Sequence, residues 1–370
     1  MIFDTWRTPF ARCWCPCIAF VLVACMGTNP VRAADYLIGT YYFPGWTDGA
    51  KGLEFPAPWQ PIKRFPERKP LLGWYSDSSV AVLKQQAAWM NAYGIDFVVF
   101  DWYWNGSSAY LDHAVAAFKQ IKRPRDVLYS LLWANHYRFP GGMPQYRAMV
   151  ANWIQEHFSD PGYLRIDGRP VVFIFGIDGV ADAAKTIGVS PAELIRIANA
   201  MSAQAGFPAI YFVGGTPALS YWVNDVAPQA GFSALSAYNY HNGFSGTAES
   251  ATPPAEGYPQ FDEAYRTNWK WIARNSLLPY ILPMTSGWDK RPWGGSKNPK
   301  RDHSISTPEE FEIHLRAARS MMDAMPDKVP RVGVVCCWNE FGEGSYIEPT
   351  ERDGFAYLER IRRVFGTGQR

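Results

Sequence analysis

The chain has 370 residues, 48% of them hydrophobic and 19% charged, which is enough apolar surface for a large core and excludes a disordered, low-complexity polymer. Lys plus Arg number 36 against 34 Asp plus Glu, a balance that excludes the basic footprint of a nucleic-acid or anionic-membrane binder. Aromatics are 16% of the chain, with 16 Trp and 20 Tyr, more than a core alone calls for, and flat ring faces suit a ligand.

At the start of the chain, Arg7 and Arg12 precede an apolar run from Cys13 to Gly27, shorter than a membrane span, and Val31-Arg32-Ala33 offers a cleavage point before Ala34. Residues 1–33 therefore read as an export signal, and 34–370 as one mature domain that is secreted or periplasmic. Leu22-Val23-Ala24-Cys25 also fits a lipoprotein box, and the alternative product carries a lipid anchor on Cys25. Removing Asp4, Arg7, Arg12 and Arg32 with the leader leaves equal numbers of acidic and basic residues. Four of the six cysteines fall in this segment. The remaining pair, Cys336 and Cys337, are neighbours on a predicted strand and point to opposite faces, so buried packing is expected rather than a disulfide or a zinc site. The six histidines lack metal-ligand spacing, and neither metal nor cofactor is expected.

Eight strands follow in chain order: Tyr36 to Tyr42, Ile95 to Asp101, Val127 to Trp133, Pro170 to Phe175, Ala209 to Gly214, Ser233 to Tyr238, Pro279 to Pro283 and Arg331 to Trp338. Helical stretches lie between them. Two open on a hydroxyl cap, proline at the first helical position and glutamate at the third: Ser190-Pro191-Ala192-Glu193 and Thr307-Pro308-Glu309-Glu310. The near-continuous apolar runs Phe97 to Phe100 and Val332 to Val335 mark strands buried on both faces of a parallel sheet. Eight such units close into an α/β fold of the (β/α)8 TIM barrel type. A doubly wound open sheet is the alternative, but no Gly-x-Gly-x-x-Gly follows the first strand. Two long irregular stretches, 43–78 and 242–260, each leave the C-terminal end of a strand, where barrel enzymes build their sites.

Polar and aromatic residues at those strand ends are the candidates. Tyr41, Tyr42 and Trp46 come first, then the run Asp101, Trp102, Tyr103 and Trp104, then Trp133, Asn135 and His136. Later ends supply Tyr238, Asn239, Tyr240 and His241, then Trp288, Asp289, Lys290 and Arg291, and last Asn339, Glu340 and Glu343. Acids and ring faces on one rim are what glycoside cleavage needs, one carboxyl protonating the leaving oxygen while the other serves as base or nucleophile. The expected partner is an oligosaccharide or polysaccharide.

The stretch Trp338-Asn339-Glu340-Phe341-Gly342-Glu343-Gly344-Ser345-Tyr346-Ile347-Glu348-Pro349, with Gly354-Phe355-Ala356-Tyr357-Leu358 after it, resembles the final-strand signature of glycoside hydrolase family 99 (endo-α-mannosidase and α-mannanase) and of the related WbsX-like family. Leu72 to Tyr75, Gly94 to Asp96, Trp133 to Asn135 and Tyr163 to Pro170 are similar to the WbsX-like family, and Gly287 to Trp293 to the family 99 loop after the seventh strand. The resemblance implies a retaining (β/α)8 glycosidase acting on α-linked mannan or another α-linked polysaccharide without metal. It implies Glu340 as base on the sugar 2-hydroxyl, giving a 1,2-anhydro intermediate, and Glu343 as acid/base. His136 departs from the pattern, which carries Glu there, and fungal α-1,3-glucanases share a similar final-strand motif, so the sugar stays open. The alternatives are a glycosyltransferase of the WbsX-like type acting in polysaccharide synthesis and a non-catalytic carbohydrate-binding barrel. Export argues against the first, because nucleotide-sugar donors are cytosolic and no basic or Gly-rich phosphate cradle is visible in the sequence.

Overall fold

The computed structural model describes residues 36–50, 56–121, 127–136, 140–241 and 256–366. The export signal and Cys25 lie outside these residues, as does most of the second long stretch.

Each predicted apolar run forms a strand, and the eight are parallel: β1 (Leu37–Tyr42), β2 (Phe97–Trp104), β3 (Leu128–Trp133), β4 (Arg169–Ile174), β5 (Tyr211–Gly215), β6 (Ala234–Ser236), β7 (Leu282–Thr285) and β8 (Val332–Cys336). Neighbours in sequence are neighbours in space, and β8 returns to β1 with Leu37 opposite Val332 and Thr40 opposite Val335. The ring closes between β6 and β7, where Leu235 N donates to Pro279 O at 2.8 Å and Ile281 N donates to Leu235 O at 2.9 Å. This is the closed (β/α)8 barrel, not the open sheet.

Helices cover the outside: α1 (Val80–Ala92), α2 (His113–Lys119), α3 (Met143–Trp153), α4 (Ile177–Ile187), α5 (Pro191–Gln204), α6 (Tyr258–Asn275), α7 (Pro308–Ala324) and α8 (Ala356–Phe365). The two predicted caps form. Ser190 Oγ accepts from Glu193 N at 3.2 Å, and Thr307 and Glu310 complete a reciprocal capping box. The second irregular stretch ends earlier than expected, because Pro259 sits in the first turn of α6, where its missing N–H costs nothing.

Strand alternation divides the core in two. Inward-facing Tyr41, Phe97, Val99, Leu132, Phe173 and Val334 fill the barrel, while outward-facing Ile38, Tyr42, Val98, Phe100 and Val335 pack under the helices. A third cluster lies in the long stretch after β1, where Trp46, Trp59, Ile62 and Tyr75 bury themselves with Phe341 and Tyr346. Cys336 and Cys337 correct the expectation made for them. Both are buried, but β8 ends at Cys336, strand alternation does not extend to Cys337, and the two sulfurs are joined in a disulfide.

Candidate active site

Beyond β8 the chain makes a small antiparallel pair, Asn339 opposite Tyr346 and Glu340 opposite Ser345, whose turn carries Glu343. Two glycines let this turn sit where it does. Gly344 has φ +70°, and a Cβ there would lie 2.7 Å from the Asp289 amide nitrogen; one on Gly342 would lie 2.0 Å from the Trp293 ring. The turn is therefore clamped against the segment after β7, and Asp289 N donates to Glu343 O at 2.6 Å. That segment is organised in turn by buried Asp302, whose carboxylate accepts from Lys290 N at 2.9 Å and from Ser296 N at 3.0 Å.

A cavity of about 650 Å³ opens at this C-terminal rim. Of the sequence candidates, Asp101, His136, Tyr238, His241, Trp288, Glu340 and Glu343 line it together. Tyr238 lies between two of the acids: its phenol oxygen is 3.0 Å from Asp101 Oδ2 and 3.0 Å from Glu340 Oε1. Asp101 and Glu340 are each 5% exposed, and Asp101 Oδ1 and Glu340 Oε2 have no hydrogen-bond partner among the described residues. Burial pushes both carboxyls well above the ordinary range, and the charge of Glu343 adds to this in each case. Glu343 stands in a wetter place, 17% exposed, with Oε1 3.5 Å from Lys290 Nζ. His241 stacks on Trp288, ring centroids 4.4 Å apart, and burial with nearby Arg301 and Lys290 pushes its pKa down to about 4, so the ring is neutral at neutral pH. His136, which replaces an acid of the family pattern, packs its ring 4.0 Å from Phe175.

The other candidates lie beneath or behind this cavity. Tyr41 does not line the cavity and is buried with its ring 4.8 Å from Tyr238. Trp102 and Trp104 are corrected from cleft wall to core. Because β2 continues to Trp104, its alternation turns Asp101 and Tyr103 inward and both tryptophans outward, where they stack on each other at 5.6 Å and Trp102 meets Trp153 of α3. Trp46 is buried against Trp59 at 4.0 Å, with its Nε1 donating to Asn339 O. Tyr42 faces α1 and donates to Gln86 Oε1 at 3.2 Å. Tyr240 is buried behind the site against Tyr265 and Tyr280. Asn135 clamps the turn before α4 through Gly176 N and O, and Asn339 clamps Phe43 through its N and O. Asp289 is a buried ion-pair hub: burial works against its charge, but Arg291 and Arg68 hold its carboxyl below the ordinary range.

Sequence reasoning missed part of the wall. Tyr110, Phe43, Phe175 and Trp293 supply further ring faces, and Lys297 and Arg301 join Lys290 in bringing positive charge to the lining, where the sequence showed no basic or Gly-rich phosphate cradle. Tyr103, a member of the second candidate run, lines the cavity because it shares the inward parity of Asp101. Tyr110 was missed because it reaches the cavity through a short antiparallel pairing with Tyr103 that leaves no periodic signal.

A family model described as Glycosyltransferase WbsX matches residues 142–361. The "Uncharacterized protein WxcX" of Xanthomonas campestris pv. campestris (strain B100) is 22% identical over 331 residues, covering 79% of this chain and 42% of its own length. The chain thus spans less than half the length of that relative. Among solved structures, a "Glycoside hydrolase-like protein" superposes with a TM-score of 0.67 at 16% identity, over 90% of this chain and 95% of its own. The family 99 endo-alpha-mannosidase from Bacteroides thetaiotaomicron, in complex with BIS-TRIS-Propane, gives 0.60 at 15% identity, over 88% and 95%. Both share the barrel fold.

Proposed function

The chain belongs to the WbsX glycosyltransferase family, and from that premise we propose that this member is an exported retaining glycoside hydrolase of α-linked oligo- or polysaccharides. The observation that carries this reading is the pair of glutamates at one aromatic-walled rim in unlike surroundings, Glu340 buried beside Tyr238 and Glu343 partly exposed beside Lys290. Environments that differ in this way separate the roles of two carboxyls.

Withdrawal from water makes an ionised Glu340 a stronger base, which suits taking a proton from a weakly acidic sugar 2-hydroxyl. In this scheme the 2-oxygen attacks the anomeric carbon while Glu343 protonates the departing oxygen. Water enters at the wetter Glu343, gives it a proton and opens the 1,2-anhydro ring, and Glu340 returns the first proton to the 2-oxygen. Two inversions leave net retention. Ring faces of Tyr103, Trp288 and Trp293 hold the apolar sides of the sugars. Residues 1–33 would be removed on export, and the mature chain would begin at Ala34.

A second reading, sugar transfer from a phosphate-activated donor, is favoured by one observation: Lys290, Lys297 and Arg301 on the cavity wall could face a phosphate. Protein exported to the periplasm or medium, incubated with α-mannan, α-glucan and bacterial exopolysaccharides, should release reducing ends. Consumption of a nucleotide sugar without reducing-end release would favour transfer, and tight binding without either reaction would leave a binding barrel. A 2-deoxy analogue of a good substrate should resist cleavage; a stable glycosyl ester trapped on Glu340 would replace the 2-hydroxyl route with attack by the carboxylate itself.

A further inference from the structure

We propose that Asp101 and Glu340 share one proton through the Tyr238 phenol, and that this proton rests on Asp101, leaving Glu340 as the ionised member. The inference rests on the reading of Glu340 as base and assigns Asp101, a residue outside the pair of glutamates, to position and tune it.

The argument begins with a count of hydrogens. A phenol has one proton to donate and an oxygen that can accept, yet Tyr238 stands 3.0 Å from a carboxyl oxygen on each side. With both carboxyls ionised, one of those contacts would set two oxygens together with no proton between them, in a place largely withdrawn from water. A single added proton fills both contacts in a chain: one carboxyl donates to the phenol oxygen and the phenol donates to the other carboxylate. Burial acts in the same direction, since two ionised carboxyls so close are disfavoured and one of them keeps its proton.

The surroundings decide which carboxyl keeps it. Two further charges face Glu340: the Glu343 carboxylate, which opposes its ionisation, and Lys290, from the segment after β7, whose ammonium favours it and also stands 3.5 Å from Glu343. The groups facing Asp101 are Tyr238, Glu343, and the phenols Tyr41 of β1 and Tyr103 of β2, none of which is positive. Glu343 opposes the charge on both acids alike, whereas a cation acts on Glu340 and none on Asp101, so the negative charge settles on Glu340 and the neutral acid on Asp101. Asp101 then donates to Tyr238, and Tyr238 donates to Glu340. The remaining Glu340 oxygen, Oε2, is left without a hydrogen-bond partner among the described residues.

Infrared difference spectra of the full chain at neutral pH test the sharing without any need for turnover. Wild type minus Asp101→Asn and wild type minus Glu340→Gln should each show the loss of one neutral-carboxyl C=O band, because the shared proton requires both partners. Glu348, buried and pushed up to about 8, contributes a band common to all three proteins that cancels. A band that persists in either variant would show a carboxyl kept neutral by burial alone and would overturn the sharing. A wild-type spectrum without the band would overturn it equally, and Glu340→Gln keeps the test available where Asp101→Asn does not fold. The pH profile of kcat/KM reads the tuning. Asp101→Leu, with no donor for Tyr238, should move the acid limb upward by about one pH unit, and Asp101→Asn, which can still donate, should restore it. An unmoved limb in Asp101→Leu would overturn the tuning. Absence of hydrolysis in all three proteins would sink the functional reading while the infrared result still judged the proton.

Discussion

The two faces of β2 meet the same rim with opposite duties. Asp101 and Tyr103 turn into the cavity, whereas Trp102 and Trp104, between and beyond them in sequence, turn outward and stack beneath the helices. The same division recurs after β7, where Lys290 lines the cavity and Arg291 points away to Asp289. Residue type is therefore a poor guide to role at a strand end, and side is a good one. Inward substitutions should alter chemistry with little cost in stability, outward ones the reverse, and each prediction below can break that rule.

The largest effect should come from the inward acids. Glu343→Gln should lower turnover on natural saccharides by several orders of magnitude while the melting temperature stays near that of wild type. On substrates whose leaving group needs no proton the loss should be far smaller. Equal losses on both kinds of substrate would take Glu343 out of the acid role.

Next comes the outward tryptophan. Trp102 is buried against Trp104 and Trp153, so Trp102→Ala should cost about 3–5 kcal/mol in chemical denaturation. Tyr103→Ala, one residue on and half-buried, should instead raise KM for oligosaccharides with a much smaller change in stability. A weakened affinity with unchanged stability in Trp102→Ala would return that residue to the cleft wall.

Much of this organisation is legible in the sequence. The apolar runs Phe97 to Phe100 and Val332 to Val335 announce parallel strands, and the acids just past them fall on one rim because barrel strands all point the same way. What escapes is side and depth. The chain past Asp101 reads as loop, so the parity of Trp102 and Trp104 was lost when β2 ran three residues longer. Trp46 escapes for another reason: its neighbours Trp59 and Tyr75 lie farther along an irregular stretch and Phe341 comes from beyond β8, and no local pattern encodes their meeting. The Cys336–Cys337 disulfide likewise forms where strand alternation stops.

Glu348 gives the comparison a pH axis. It lies on the outer side, accepting from Tyr75 Oη at 2.7 Å and Gln86 Nε2 at 3.0 Å, and burial raises its pKa from 4.5 to about 8. The folded protein therefore holds a proton that the unfolded chain releases above about 4.5. The associated stability is fully present below that pH and is lost as pH rises through about 8. Glu348→Gln should flatten this slope, so that the difference in melting temperature between wild type and variant moves in favour of the variant from pH 5 to pH 8. A constant difference across that range would show that Glu348 does not take up a proton on folding.

The smallest effect should be at Arg291, where residue type pointed to sugar binding and geometry points elsewhere. Its guanidinium is substantially exposed and pairs with Asp289 Oδ2 at 2.6 Å, but Asp289 also holds fully buried Arg68 at 2.8 Å. Arg291→Ala leaves that inner pair intact and removes an ion pair screened by water, so the loss of stability should stay below about 1 kcal/mol and KM should not change. Arg68→Ala is the contrasting case. Arg68 also donates to the backbone oxygens of Asp289 and Phe341, so its removal strips a buried carboxylate of its inner partner and loosens the turn that carries Glu343. The cost should be about 3–5 kcal/mol, with turnover falling because the acid is no longer held. If Arg291→Ala raised KM severalfold while Lys290→Ala, its inward neighbour, did not, the division by side would fail at β7.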